Sequence, residues 1–168
     1  MAQPAPPTGT EQPDPAPACT LLSGAEEAAW FGLLAMHGAL SKEIDAELVR
    51  TCRLPLRSFQ ALDRLARPGG GRLGMGGLAR ELHLSQSGLS RLVDRLETEG
   101  LIRREASAAD GRAVLVAVTD AGRQRLRQAA AVHVAVVRAR FLSHLSPAEL
   151  TLLGELWHRI LGGGVTGC

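Results

Sequence analysis

The stretch that decides the fold runs from residue 77 to residue 105 and reads GLARELHLSQSGLSRLVDRLETEGLIRRE. Leu78, Ala79 and Leu82 recur at helical spacing and predict a short helix packed through them. A turn at His83-Leu84 tucks Leu84 inward, and Ser85 stands where a second helix needs its N-cap. In that helix Leu89, Leu92, Val93 and Leu96 form one buried stripe. Gln86, Ser87, Ser90, Arg91, Asp94 and Arg95 are left on the outside. Ser and Gln donate and accept at base edges, and Arg forks onto guanine or clamps phosphate, so this face suits a DNA major groove. Any amphipathic helix pair shares the pattern in part, and the following segment adds to it.

Glu99-Gly100 ends the second helix, and Leu101 to Glu105 reads as a short strand. Ala106 to Gly111 makes a turn-rich tip containing Asp110-Gly111, and Arg112 to Val118 returns as a β-branched strand. The result is a ribbon, or wing, with Arg103, Arg104 and Arg112 near its ends. A wing beside a groove-reading helix reaches phosphates or the adjacent minor groove. Segment 85–112 is itself neutral, with five Arg against five acidic residues. A positive surface there depends on how those charges are segregated.

These residues resemble the multiple antibiotic resistance regulator (MarR) family. The matching positions are Leu78-Ala79, Leu82 and Ser85, then Ser90 to Glu97, then Gly100 to Arg104, then Asp110-Gly111-Arg112, and finally Val114, Val116 and Val118 to Gly122. The resemblance covers about residues 25–161. It implies a mostly α fold with a small two- or three-stranded β wing, a winged helix-turn-helix flanked by long dimerisation helices. It further implies a homodimeric, ligand-responsive repressor on a pseudo-palindromic operator, near the gene for a transporter or an enzyme. Arg112 would then contact phosphate or minor groove at the wing tip, and Asp110 would brace an arginine of the wing. Ser85, Gln86, Ser87, Ser90, Arg91, Arg95, Arg104, Asp110 and Arg112 are the expected DNA-binding residues.

Outward from this lobe, placed at residues 73–118, lie longer helices. Ala29, Leu33, Met36, Leu40, Ile44 and Leu48 predict one from about Ala25 to Thr51. A second begins near Pro55 and carries Leu56, Phe59, Leu62, Leu65 and Ala66, ending at Pro68-Gly69-Gly70-Gly71. Leu126, Ala130, Val134, Val137, Phe141 and Leu145 predict a further long helix. Ser146-Pro147-Ala148-Glu149 then opens a last one, carrying Leu150, Leu153, Trp157, Ile160 and Leu161. Segments 25–54 and 119–161 are the expected dimerisation helices. The six prolines within residues 1–18 mark residues 1–24 as a disordered arm, and 162–168 reads as a flexible tail.

Composition fits this reading. Hydrophobic types make up 45% of the 168 residues but aromatics only 3%, with no Tyr, so Leu, Val and Ala must build a helical core. The net charge of +2 averages a balance of −5 over residues 1–50 and +7 over residues 51–168, where every basic residue is Arg. An Arg-rich body suits a polyanionic partner, although GC-rich coding produces the same bias.

Cys19, Cys52 and Cys168 have no metal spacing, and the thiols read as inert in a reduced, cytoplasmic protein. Peroxide-sensing relatives hold a reactive cysteine near tyrosines, which this chain lacks. The five histidines show no tight ligand spacing, so no metal and no cofactor is expected. Trp30, Phe31, His37 and Phe59 are candidates for a pocket between dimer helices and lobe, where relatives bind small aromatic acids. Their helical spacing suits core packing better. No phosphate loop, nucleophile elbow or membrane-spanning run is present, so neither an enzyme nor a membrane protein is expected. The alternative is a winged-helix protein–protein interaction module without DNA binding.

Overall fold

The computed structural model describes residues 21–67, 72–106 and 114–162. The expected arm up to residue 20, the tip of the wing with Asp110 and Arg112, Cys19, and the tail from residue 163 lie outside the described residues. The chain divides into two units, Met1–Gly38 and Ala39–Cys168. In the first, Ser23 opens helix α1 (Gly24–Cys52) through a reciprocal pair with Glu26. The Ser23 amide donates to Glu26 Oε2 (2.8 Å), and Ser23 Oγ accepts from the Glu26 amide (3.4 Å). Every described residue of this unit is exposed on the single chain, Ala29, Leu33 and Met36 included.

The second unit begins within α1, where Ile44 and Leu48, one turn apart, are buried. Arg53, at φ 50°, turns the chain out of α1, and the Leu54 amide reaches back to the Leu48 carbonyl (3.3 Å). Pro55 is the N-cap of helix α2 (Leu56–Ala66) and has no side-chain oxygen to offer. Asp45 of α1 supplies the cap instead, accepting from the Leu56 amide at 2.7 Å. Phe59, Leu62 and Leu65 of α2 are buried, and Leu56 and Ala66 partly so.

Strand β1 (Arg72–Gly74) leads directly into helix α3 (Met75–Leu82), and helix α4 (Gln86–Thr98) follows. Strands β2 (Ile102–Ala106) and β3 (Val114–Val118) come next. The sheet is antiparallel in the order β1-β3-β2, with Leu73 opposite Val116 and Arg104 opposite Val116 from the other side. The sequence reading gave a wing of two or three strands, and β1 is the third. Three residues ending in glycine carry too little alternation to be seen without the partner strand.

Helix α5 (Asp120–Arg140) is capped by Thr119, whose Oγ1 accepts from the Gly122 amide (3.0 Å). The predicted continuation to Leu145 does not occur. Phe141 leaves the helix, a 3-10 turn spans Leu142–His144, and Leu145 is extended. The reason lies just beyond. Ser146 must be extended to cap helix α6 (Pro147–Ile160) ahead of Pro147, with Glu149 completing the capping box, and this draws the preceding residues out of the helix. The core joins Ile44, Leu48 and Leu54 to α2, α3, α4, the sheet and Ala129 of α5. No residue of α6 is buried.

Candidate nucleic-acid interface

Helix α4 is positioned by its turn and by its buried stripe. His83 adopts the left-handed conformation (φ 53°), and the Leu84 amide bonds back to the Ala79 carbonyl (3.0 Å), closing α3. Ser85 then caps α4, its Oγ accepting from the Gly88 amide at 3.1 Å. A Cβ at residue 88 would lie 3.1 Å from that same oxygen, so glycine leaves the cap room. Leu89, Leu92, Val93 and Leu96 are buried as expected from their spacing, which turns the opposite face outward. Gln86, Ser87 and Arg91 are exposed and Ser90 is half-buried.

The first turn of α4 contains no acidic residue, so its amides and macrodipole present a positive end. Among the described residues, Arg91 makes no ion pair, which leaves its guanidinium available to a partner. Chemically this end offers amide, hydroxyl and guanidinium donors on a convex helix terminus, the groups that pair with base edges and phosphate oxygens.

Two other expected DNA contacts are already engaged within the lobe. Arg95 donates to Oγ of the buried Ser58 on α2 (2.9 Å). The Arg104 guanidinium lies between Asp94 (2.6 Å) and Glu97 of α4. Its backbone amide also donates to Glu97 Oε1 (3.0 Å). Hydrogen bonding to Asp94, ahead of that to Glu97, raises the Arg104 pKa further above its ordinary value. Arg72 and Arg103 both pair with Glu105, so the wing arginines on the described strands each have a carboxylate. Sequence reasoning missed Ser58, Asp94 and Glu97 as anchors. Glu97 and Arg104 are seven residues apart across a turn, a spacing with no periodic signature.

Of the candidate effector residues, Trp30, Phe31 and His37 belong to the first unit and are exposed. Phe59 is buried in the second, stacked on His133 of α5 with ring centroids 4.8 Å apart. Burial lowers the His133 pKa, partly offset by the Asp63 carboxylate. No three His, Cys, Asp or Glu side chains converge as a metal site among the described residues. No described helix is long and apolar enough to cross a membrane.

Comparison with known proteins places this geometry. A model of the MarR family matches residues 54–113, which include α2, α3, α4 and β2. AbsC, a MarR family transcriptional regulator from Streptomyces coelicolor, superposes with a TM-score of 0.75 at 30% identity, covering 84% of this chain and 95% of that one. Sco3205, a MarR family transcriptional regulator from the same organism solved in complex with DNA, gives 0.74 at 33% identity over 87% of this chain and 94% of that one. CouR from Rhodococcus jostii RHA1, solved bound to p-coumaroyl-CoA, gives 0.68 at 26% identity over 83% and 94%. Similarity at this level spans nearly the whole of each relative, and on it the chain belongs to the MarR family of DNA-binding transcriptional regulators, not to an enzyme family.

Proposed function

We propose that this regulator is a homodimeric, ligand-responsive repressor acting in the cytoplasm, and that it reads a pseudo-palindromic operator with the N-terminal half of α4. The observation that carries the reading is the acid-free, Ser85-capped first turn of α4, with Gln86, Ser87 and Arg91 exposed beside it. Small polar residues at a positive helix end allow close approach to the groove floor and to phosphate together. Ser90, half-buried, joins them at the edge of the same face. Arg112 completes the interface as a wing contact to phosphate or minor groove, with Asp110 bracing the wing.

The dimer reading is supported by α6, in which no residue is buried while Leu152 and Ile160 are 55% and 65% exposed. Apolar surface of that extent on a soluble helix calls for a partner, and a second copy supplies an identical face. CouR is solved with p-coumaroyl-CoA, and small aromatic or anionic compounds are accordingly the effectors to try first.

The test is selection of bound fragments from the genome of origin, followed by gel-shift titration at fixed salt. The expected product is a site whose half-sites lie about 10 base pairs apart, centre to centre, bound by two chains and released by an aromatic acid or its thioester. A purified chain that prefers no duplex over scrambled DNA would overturn operator reading. One chain per operator would overturn the dimer.

A further inference from the structure

We propose that Arg104 is a positioning residue for the DNA-reading helix and not a phosphate contact: with Asp94 and Glu97 it clamps strand β2 to α4 and fixes the angle between that helix and the wing. The inference rests on the reading of α4 as the base-contacting helix. Asp94 and Glu97 lie three residues apart on α4, so both carboxylates project from one side of it. The Arg104 fork spans them, with Nη2 on Asp94 Oδ1 (2.6 Å) and Nη1 on Glu97 Oε2. Glu97 is used twice, since its other oxygen accepts the Arg104 backbone amide at 3.0 Å.

That amide has a structural reason to be available. Strand β2 is an edge of the three-stranded sheet, with β3 on one side only. Alternate amides of an antiparallel edge strand point away from the ladder and need another acceptor. Glu97 therefore joins main chain and side chain of one wing residue to the last turn of α4. A planar guanidinium holding two carboxylates has far less orientational freedom than a point charge, so the clamp sets direction as well as distance. On the other flank Arg95 ties α4 to Ser58 of α2 (2.9 Å). The C-terminal half of α4 is thus held from two sides, and the N-terminal half is left to the groove.

Turning Arg104 toward a phosphate would leave Asp94 and Glu97 uncompensated close to a polyanion. The 59% exposed Asp94 side chain makes that penalty direct, because its charge faces solvent beside the reading surface. The clamp neutralises this acidic pair while holding the wing in place.

The two roles predict opposite signs for one substitution. The full chain is titrated against a duplex selected from genomic fragments by the wild-type protein, and against a scrambled duplex of equal length, over a range of salt. For a clamp, Glu97→Gln lowers the ratio of selected to scrambled affinity by about tenfold and leaves the salt slope unchanged. Arg104→Gln does the same, and the double variant is no worse than the poorer single one. Arg104→Lys, which keeps the charge without the fork, also loses the ratio. For a phosphate contact, Glu97→Gln instead tightens binding to both duplexes by releasing a cation, and Arg104→Gln flattens the slope by about 0.9; either result overturns the clamp. Circular dichroism and melting of each free variant separate lost folding from lost alignment, and Glu97→Gln, which keeps an acceptor for the amide, is expected to fold. Selected and scrambled duplexes bound equally by the wild type would remove the reading of α4 itself, and the clamp's role with it.

Discussion

At Gly122 a Cβ would meet the Leu101 carbonyl oxygen at 2.0 Å and a Val118 methyl at 2.8 Å. The first turn of α5 is pressed onto the chain that leaves α4, where Thr119 Oγ1 also donates to the Gly100 carbonyl (2.7 Å) and the Thr119 amide to the Leu101 carbonyl (3.1 Å). The Thr-x-x-Gly motif is therefore a cap and a close approach in one. Gly122→Ala, which in a free helix would stabilise, is expected to cost about 3 kcal/mol here by overpacking against backbone, measured by urea unfolding; an unchanged midpoint would show that the contact yields. The exposed face of α4 carries a prediction of a different kind. Gln86→Ala is expected to lose about 1–3 kcal/mol on a selected operator and nearly nothing on scrambled DNA. Arg91→Ala is expected to weaken both, with the larger loss on the operator. If neither variant changes the ratio of the two affinities, base readout lies elsewhere.

Between elements, the fold relies on caps lent by neighbours: Asp45 of α1 for α2, and Arg125 of α5 for the Cys52 carbonyl at the end of α1 (2.9 Å). The α2–α5 contact adds a titratable member, His133 stacked on Phe59. Burial favours its neutral form in the folded state. As pH falls, the unfolded chain takes up this proton first, so stability declines below the ordinary histidine pKa of about 6.5 and levels off once the folded form is protonated too. His133→Phe, which keeps an aromatic partner for Phe59, should remove that part of the decline and leave stability at neutral pH little changed. Equal acid sensitivity of variant and wild type in thermal melts would show that His133 does not report on this contact.

Over the whole molecule, charge and apolar surface are sorted by place. Segment 85–112 is neutral in sum, yet on its described residues the carboxylates of α4 and β2 are paired with Arg104, Arg103 and Arg72. Among the described residues of that segment Arg91 and Arg95 pair with no carboxylate; Arg95 donates to Ser58, and Arg91 sits nearer the N-terminal end of α4. Apolar surface is sorted the other way: apart from Val114 at the start of β3, the large apolar side chains described in the lobe are buried or half-buried, while α6 and the first unit carry exposed Leu152, Ile160, Trp30 and Phe31. Deleting residues 146–168 is therefore expected to abolish the dimer and lower solubility, read by light scattering and sedimentation. A stable, DNA-competent monomer from that deletion would refute dimerisation through the terminal helices.

The sequence by itself determined the elements whose signal is local. The stripe Leu89-Leu92-Val93-Leu96 set the buried side of α4, Ser85 its start, and Ser146-Pro147-Ala148-Glu149 the start of α6, because helical period and capping act within a few residues. The nature of the outward face of α4 was legible for the same reason. Tertiary structure alone decided which outward residues remain available. Arg91, Arg95 and Arg104 look alike along the chain, and only the approach of α2 and β2 to α4 commits Arg95 to Ser58 and Arg104 to Asp94 and Glu97. Strand β1 exists only because β3 lies beside it, and α5 ends at Arg140 because the cap of α6 draws its apolar continuation out of the helix. Hydrophobic period specifies a face, whereas the partner of a charge is fixed by distance in space, which spacing along the chain does not encode.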